Sequence, residues 1–238
     1  MQPLNPELKK SLAEAALVYQ AQMTARGLEY LARRGLDEAV AADFRIGLVS
    51  SPLSSHDHMA GRLVIPHIGP KGNVYDLRFR CIEHEDCKEA GCKSKYMGLP
   101  GVQTRTFNTR AIALAGDELH VTEGEIDAMS LAAAGFQAIG IPGVNALPKH
   151  FPRMVAGFSS LTLWADGDDA GRGLAERVAR VVPTVRILVM RTGMDVNSIL
   201  MEGGADALRK LNAGESDFGP EKIAAGVAGD KYAGDPPF

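Results

Sequence analysis

The chain has 238 residues, 45% hydrophobic and 23% charged, which suits one or two domains with a substantial core and excludes a wholly disordered chain. Three cysteines rule out a disulfide scaffold and point to a reducing compartment, and no apolar run approaches the roughly 20 residues of a membrane-spanning helix. The net charge of −3 gives no overall field for attracting phosphates, so any nucleic-acid contact must come from a local basic surface. The start, Met1 to Pro6, has neither the basic patch nor the apolar stretch of a secretory signal, so a cytoplasmic location is expected.

In chain order, about 5–49 reads as helical. Leu8, Leu12, Ala15, Ala16 and Tyr19 recur at helical spacing after Asn5-Pro6, a cap followed by a first-turn proline. A second helix fits Thr24 to Arg34, closed by Gly35, and a third fits Asp37 to Phe44. Packing together is all that these helices are expected to do. Between about 60 and 110 the period changes. Gly61-Arg62-Leu63-Val64-Ile65-Pro66 reads as a short strand, and Pro70 to Asn73 as a turn. In the next strand Tyr75, Leu77 and Phe79 share one face, while Asp76, Arg78 and Arg80 share the other, expected to be solvated. Lys93, Lys95 and Tyr96 follow, so this stretch is basic in an acidic chain.

From about 111 to 205, strands and helices alternate. Leu119 to Thr122, Ala138 to Ile141, Leu161 to Trp164 and Val185 to Val189 read as strands; Ile126 to Ala134 and Ala170 to Val182 read as helices. Alternation with nearly continuous apolar strands implies an α/β fold with a parallel sheet covered on both faces. Three domains follow from these patterns: 1–110, 111–213, and a flexible tail over 214–238 rich in Gly, Asp, Lys and Pro.

The acids of the third region carry the functional signal. Glu123 directly follows one strand, with Asp127 a helical turn further on. Asp166 and Asp168 follow another, and Asp195 lies beyond a third. Ligands of open parallel sheets bind at the carboxyl ends of the strands, so these side chains are aimed at one crevice. Clustered carboxylates repel one another, and a hard divalent cation such as Mg²⁺ removes the conflict while leaving room for substrate phosphates. For Glu125 and Asp169 the expectation is plainer, namely that they complement a helix dipole or cap.

Glu123-Gly124-Glu125-Ile126-Asp127 and Asp166-Gly167-Asp168-Asp169-Ala170-Gly171 resemble the two signature motifs of the TOPRIM domain, and Asp195 resembles the later acidic position. Upstream, Tyr30 to Leu36, Phe44-Arg45-Ile46-Gly47 and Gly61 to Pro66 resemble the amino-terminal part of a DnaG-type or phage primase catalytic core. The resemblance implies a TOPRIM domain with parallel-sheet βα units, preceded by a smaller α+β primase subdomain. It further implies synthesis of short RNA primers on single-stranded DNA from ribonucleoside triphosphates. Glu123, Asp127, Asp166 and Asp168 are then the catalytic acids, and Glu123, Asp166, Asp168 and Asp195 hold Mg²⁺ or Mn²⁺. Arg62, Arg78, Arg80, Lys95 and Tyr96 fall where the family contacts template and nucleotide. No zinc ribbon and no helicase module are evident, so a replicative helicase and a separate zinc-ribbon protein are expected partners. Where a second acid often follows Asp195, this chain has Asn197, at best a neutral oxygen ligand.

A TOPRIM nuclease would use the same acids for hydrolysis, and the primase-like stretch from Tyr30 to Arg80 argues against it. A non-catalytic nucleic-acid-binding module of a replication complex is disfavoured by acids in the crevice, and a small-molecule phosphotransferase by the lack of a nucleotide fingerprint. Separately, Cys81, His84, Cys87 and Cys92 gather every thiol of the chain with one imidazole, the ligand types of a tetrahedral zinc site. The plainer alternative is a reduced polar insertion.

Overall fold

The computed structural model describes residues 4–84, 87, 90, 92, 94–102, 105–141, 143 and 147–215. Lys93 and the expected tail from 216 onward lie outside the described residues. Asn5 caps α1 (Pro6–Ala21), its Oδ1 accepting from the Leu8 amide at 2.7 Å, with Pro6 in the first turn where its missing N–H costs nothing. Helices α2 (Ala25–Ala32) and α3 (Glu38–Asp43) follow, α3 capped by Asp37. Strands β1 (Gly47–Leu48), β2 (Leu63–Ile68), β3 (Val74–Arg80) and β4 (Tyr96–Gly98) form an antiparallel sheet in chain order. A short helix α4 (Arg110–Leu114) leads into β5 (Glu118–Thr122), α5 (Glu125–Ala133), β6 (Ala138–Gly140), α6 (Phe151–Val155), β7 (Ser160–Ala165), α7 (Asp169–Val181), β8 (Arg186–Val189) and α8 (Val196–Ala213). The second sheet has the order β6-β5-β7-β8 and every pair in it is parallel. No helix among the described residues is long and apolar enough to cross a membrane.

Period-2 alternation holds in β3. Leu77 and Phe79 pack with Val64, Leu12, Ala16 and Tyr19 beneath α1. The opposite face is not solvated as its charges suggest. Asp76 is 1% exposed and Arg80 is 3% exposed, because this face turns inward onto the second half of the chain. A larger apolar cluster joins Leu31, Phe44, Leu63 and Ile65 to Ile126, Met129, Trp164, Leu188, Ile199 and Leu208, so both sheets share one core. Each such side chain contributes about 1.5–3 kcal/mol on burial. An exposed pair such as Arg26–Glu83 at 3.0 Å contributes only about 0–1 kcal/mol. Apolar packing therefore sets how the two sheets face each other. The other face of the parallel sheet carries Leu119, Val121, Leu163 and Val189, covered by Leu174 and Val178 of α7.

Helix α8 lies where the sequence patterns assign no element, across Gly203-Gly204. The helix kinks there, Gly204 taking φ 68°, and resumes to end at the left-handed Gly214.

His120, 1% exposed on β5, accepts a hydrogen bond at Nδ1 from Trp164 Nε1 at 3.0 Å and packs against Phe136. Burial, opposed by Glu118 and helped by Arg186, pushes its pKa down to about 4. The unfolded chain therefore takes up this proton first, near pH 6.5. Stability from the neutral imidazole is complete above that pH and is lost as pH falls towards 4, by up to about 3 kcal/mol. Thermal unfolding followed by Trp164 fluorescence between pH 7 and 4 should show this decline, and His120→Phe should flatten it. An unchanged slope in the variant would assign the acid sensitivity to other groups.

Candidate active site

Strand order reverses between β5 and β7, which lie side by side while the chain between them passes through β6 on the far edge. Such a switch point opens a crevice at the carboxyl ends of the strands. Glu123 follows β5 and Asp166 follows β7 at that point, and the Asp166 amide donates to Glu123 Oε1 at 3.0 Å. Asp168 caps α7, its Oδ1 accepting from the Gly171 amide at 2.7 Å. Asp195 caps α8 in a capping box with Ser198. Both glycines of the second motif are dictated by close approach. A Cβ on Gly167 would stand 1.8 Å from the Arg191 carbonyl oxygen, and one on Gly171 would stand 2.3 Å from the Asp166 carbonyl oxygen and 2.6 Å from Glu123 Oε1.

The acids meet electrostatically. Burial first, then Asp127, Glu123, Asp195 and Asp168, push the Asp166 carboxyl up to about 9. Burial and then Asp195 push Asp127 up to about 7, although the Asn197 amide and Arg80 oppose the shift. Burial also raises Glu123. Asp166 Oδ1 is buried and finds no hydrogen-bond partner among the described residues. An orphaned carboxylate oxygen beside four further acids fits a hard cation, which would offset both the missing bond and the repulsion. Among the described residues no three of these carboxylates bring oxygens within 4.8 Å of one another.

Beside the acids runs a groove of about 680 Å³ between the two halves of the chain, walled by Tyr30, Arg33, Arg34, Arg80, Lys95 and Asp195. Arg80 is clasped by two tyrosines: its Nε donates to Tyr30 Oη at 2.5 Å, its Nη1 donates to Tyr96 Oη, and its guanidinium lies 4.8 Å from the Tyr96 ring centre. Burial lowers the Lys95 ammonium pKa, and Arg80 and Arg34 add to the effect while Asp195 opposes it. Positive charge is thus concentrated along this wall, as the sequence leads one to expect.

Several assignments change. Arg62, expected to meet nucleic acid, is 8% exposed and donates from Nη1 to the Ser94 carbonyl at 2.9 Å, tying β2 to the segment before β4. Tyr96, expected at the nucleic-acid contact, is engaged by Arg80, whose Nη1 donates to its Oη and whose guanidinium lies over its ring. Asn197, expected at best as an oxygen ligand, has its Oδ1 facing Arg34 Nη1 at 3.4 Å; its Nδ2 donates to the Arg34 carbonyl at 2.7 Å and to Ser130 Oγ at 2.9 Å, while its backbone amide donates to Asp127 Oδ1 at 3.1 Å. It positions Asp127. Glu125 is not a solvated helix-start acid but sits 4% exposed between two basic groups of the first sheet. Its Oε1 lies 3.3 Å from His67 Nε2 and 3.6 Å from Arg78 Nε. Burial disfavours its charge, yet His67 and Arg78 win and its pKa falls. Asp169 is exposed as expected, pairing with Arg172. The groove also draws on Tyr30, Arg33 and Arg34, which the helical pattern left as packing residues; two adjacent arginines beside a tyrosine were the available signal. Cys81, Cys87 and Cys92 converge, with their sulfurs within 4.8 Å of one another, whereas His84 approaches Cys81 alone, Nδ1 to Sγ at 3.6 Å.

A parallel sheet with paired acidic motifs at its switch point, faced by a basic antiparallel sheet, is the arrangement of a TOPRIM-like fold. The Toprim-like family model matches residues 120–200. Gene 57 protein of Mycobacterium phage D29 is 39% identical over 116 residues, 49% of this chain and 76% of that protein. A DNA primase of Pseudomonas aeruginosa is 24% identical over 262 residues, covering 87% of this chain; the chain spans 38% of that primase. The RNA polymerase domain of Mycobacterium tuberculosis primase DnaG, in complex with double-stranded DNA, superposes with a TM-score of 0.73 at 22% identity, over 88% of this chain and 81% of that one. The chain belongs to one family with gene 57 protein of Mycobacterium phage D29, carries a Toprim-like domain, and has the fold of DnaG primase RNA polymerase domains.

Proposed function

We propose that the chain is the catalytic core of a DNA primase, joining ribonucleotides on a single-stranded DNA template into short RNA primers. The observation that carries this reading is the juxtaposition of the carboxylates with a basic groove, Asp195 lying at their common edge. Glu123, Asp166, Asp168 and Asp195 would hold Mg²⁺ or Mn²⁺, which when bound supplies charge neutralisation for the triphosphate and its leaving pyrophosphate. Asn197 holds Asp127 in place through its amide. Arg34, Arg80 and Lys95 bind template or nucleotide phosphates, with Arg80 aimed by Tyr30 and Tyr96. In this reading residues 1–110 handle template and nucleotide, and residues 111–213 carry the chemistry. A replicative helicase and a zinc-ribbon protein act as partners in the cytoplasm of a bacterial or phage-infected cell.

Incubating the protein with single-stranded DNA, Mg²⁺ or Mn²⁺ and labelled ribonucleotides should yield short RNA products. Hydrolysis of DNA or RNA without any nucleotide incorporation would replace this reading with the nuclease. Lys95→Gln should weaken single-stranded DNA binding and reduce the slope of log affinity against log salt by about 0.7, the share of one phosphate contact. An unchanged slope would remove Lys95 from the binding wall.

A further inference from the structure

The hairpin loop between β3 and β4 holds a chemistry that primer synthesis does not use. The loop is pinched at its neck, where the Cys81 amide donates to the Lys95 carbonyl at 2.9 Å. Inside it Cys81, Cys87 and Cys92 turn toward one another, all three sulfurs lying within 4.8 Å, with Cys81 and Cys87 buried and every thiol free of a disulfide. Among the described residues this is the one cluster of three metal-ligating side chains so close together. A tetrahedral zinc ion with Zn–S bonds of about 2.3 Å sets its sulfurs about 3.8 Å apart, and a sulfur about 3.6 Å from an imidazole nitrogen. The thiol cluster is compatible with the first edge, and His84 Nδ1 stands 3.6 Å from Cys81 Sγ but outside the group of atoms within 4.8 Å of one another, so a turn of its side chain is needed to complete the shell.

We propose that Cys81, Cys87 and Cys92 bind one structural zinc ion, with His84 completing the tetrahedron. Soft sulfur ligands select zinc over the Mg²⁺ or Mn²⁺ of the acid crevice, so the two sites do not compete for the same ion. Binding transfers no electrons: each thiol gives its proton to solvent as its sulfur bonds the metal, and the imidazole joins as the neutral base. Cys81, His84 and Lys95 all border the basic groove. Zinc therefore clamps the segment that delivers Lys95 and Tyr96 to the groove wall, a positioning role that rests on the metal and not on the proposed activity.

The test is the metal content of the full chain, purified without chelator from zinc-supplemented cells. About one zinc per chain is expected in the native protein and in Asp168→Asn, falling to under about a tenth in Cys92→Ser and in Cys87→Ser. Cobalt(II) offered in place of zinc should give a thiolate charge-transfer band. In His84→Ala that band should persist, while the visible ligand-field bands shift. Zinc below about a tenth per chain, with three thiols reacting freely in the native protein, would overturn the proposal, as would iron with a visible chromophore in its place. Because the readout is bound metal, its failure leaves the primer-synthesis assay standing, and a failed primer assay leaves the zinc measurement standing.

Discussion

Asp166→Asn is expected to lower metal-dependent primer synthesis about a thousandfold, the equivalent of several kcal/mol of lost charge stabilisation at the reacting phosphates. Asp166 is the acid most constrained by its surroundings: it sits at the switch point with an unpaired Oδ1, and burial first, then four carboxylates, raise its pKa to about 9. An amide keeps the shape and removes the charge, so the metal-free variant should be at least as stable as the parent. Single-turnover extension of a preformed primer, together with thermal unfolding in chelator, separates chemistry from folding. Synthesis within about tenfold of the parent would take the acid crevice out of the mechanism.

Glu125→Ala should destabilise the fold by about 3–5 kcal/mol, the usual cost of removing one partner from a buried charge cluster. The carboxylate is 4% exposed between His67 and Arg78, and its loss removes the buried anion that both face. For a chain of this size the melting temperature should fall by about 10 °C. Glu125→Gln, which keeps hydrogen-bonding capacity, should cost less. A loss under about 1 kcal/mol in the alanine variant would return Glu125 to the role of an ordinary helix-start acid.

How much of this was legible can be read from single residues. Asp166, Asp168 and Glu123 announce themselves because a strand followed at once by an acid has one destination in a parallel sheet, whatever the rest of the chain does. Gly171 is held partly by its own turn, at the Asp166 carbonyl, whereas Gly167 is dictated by the Arg191 carbonyl, which only the fold brings there. Arg62 and Arg78 look alike along the sequence, yet one is tied to a carbonyl in the segment before β4 and the other meets Glu125 across the shared core. Asn197 reads as a weakened ligand, and only the approach of α2 to the start of α8 turns it into the clamp between Arg34, Ser130 and Asp127.

Local backbone chemistry, then, is written in the sequence: the cap at Asn5, the βα alternation, and the strand ends that carry the acids. Tertiary structure alone decided which charged faces are wet. Spacing places a side chain on one side of its own strand or helix, but burial depends on what a distant segment brings against that side. Between the two halves of this chain that choice was made by the apolar core joining Leu31, Phe44 and Ile65 to Ile126, Trp164 and Ile199.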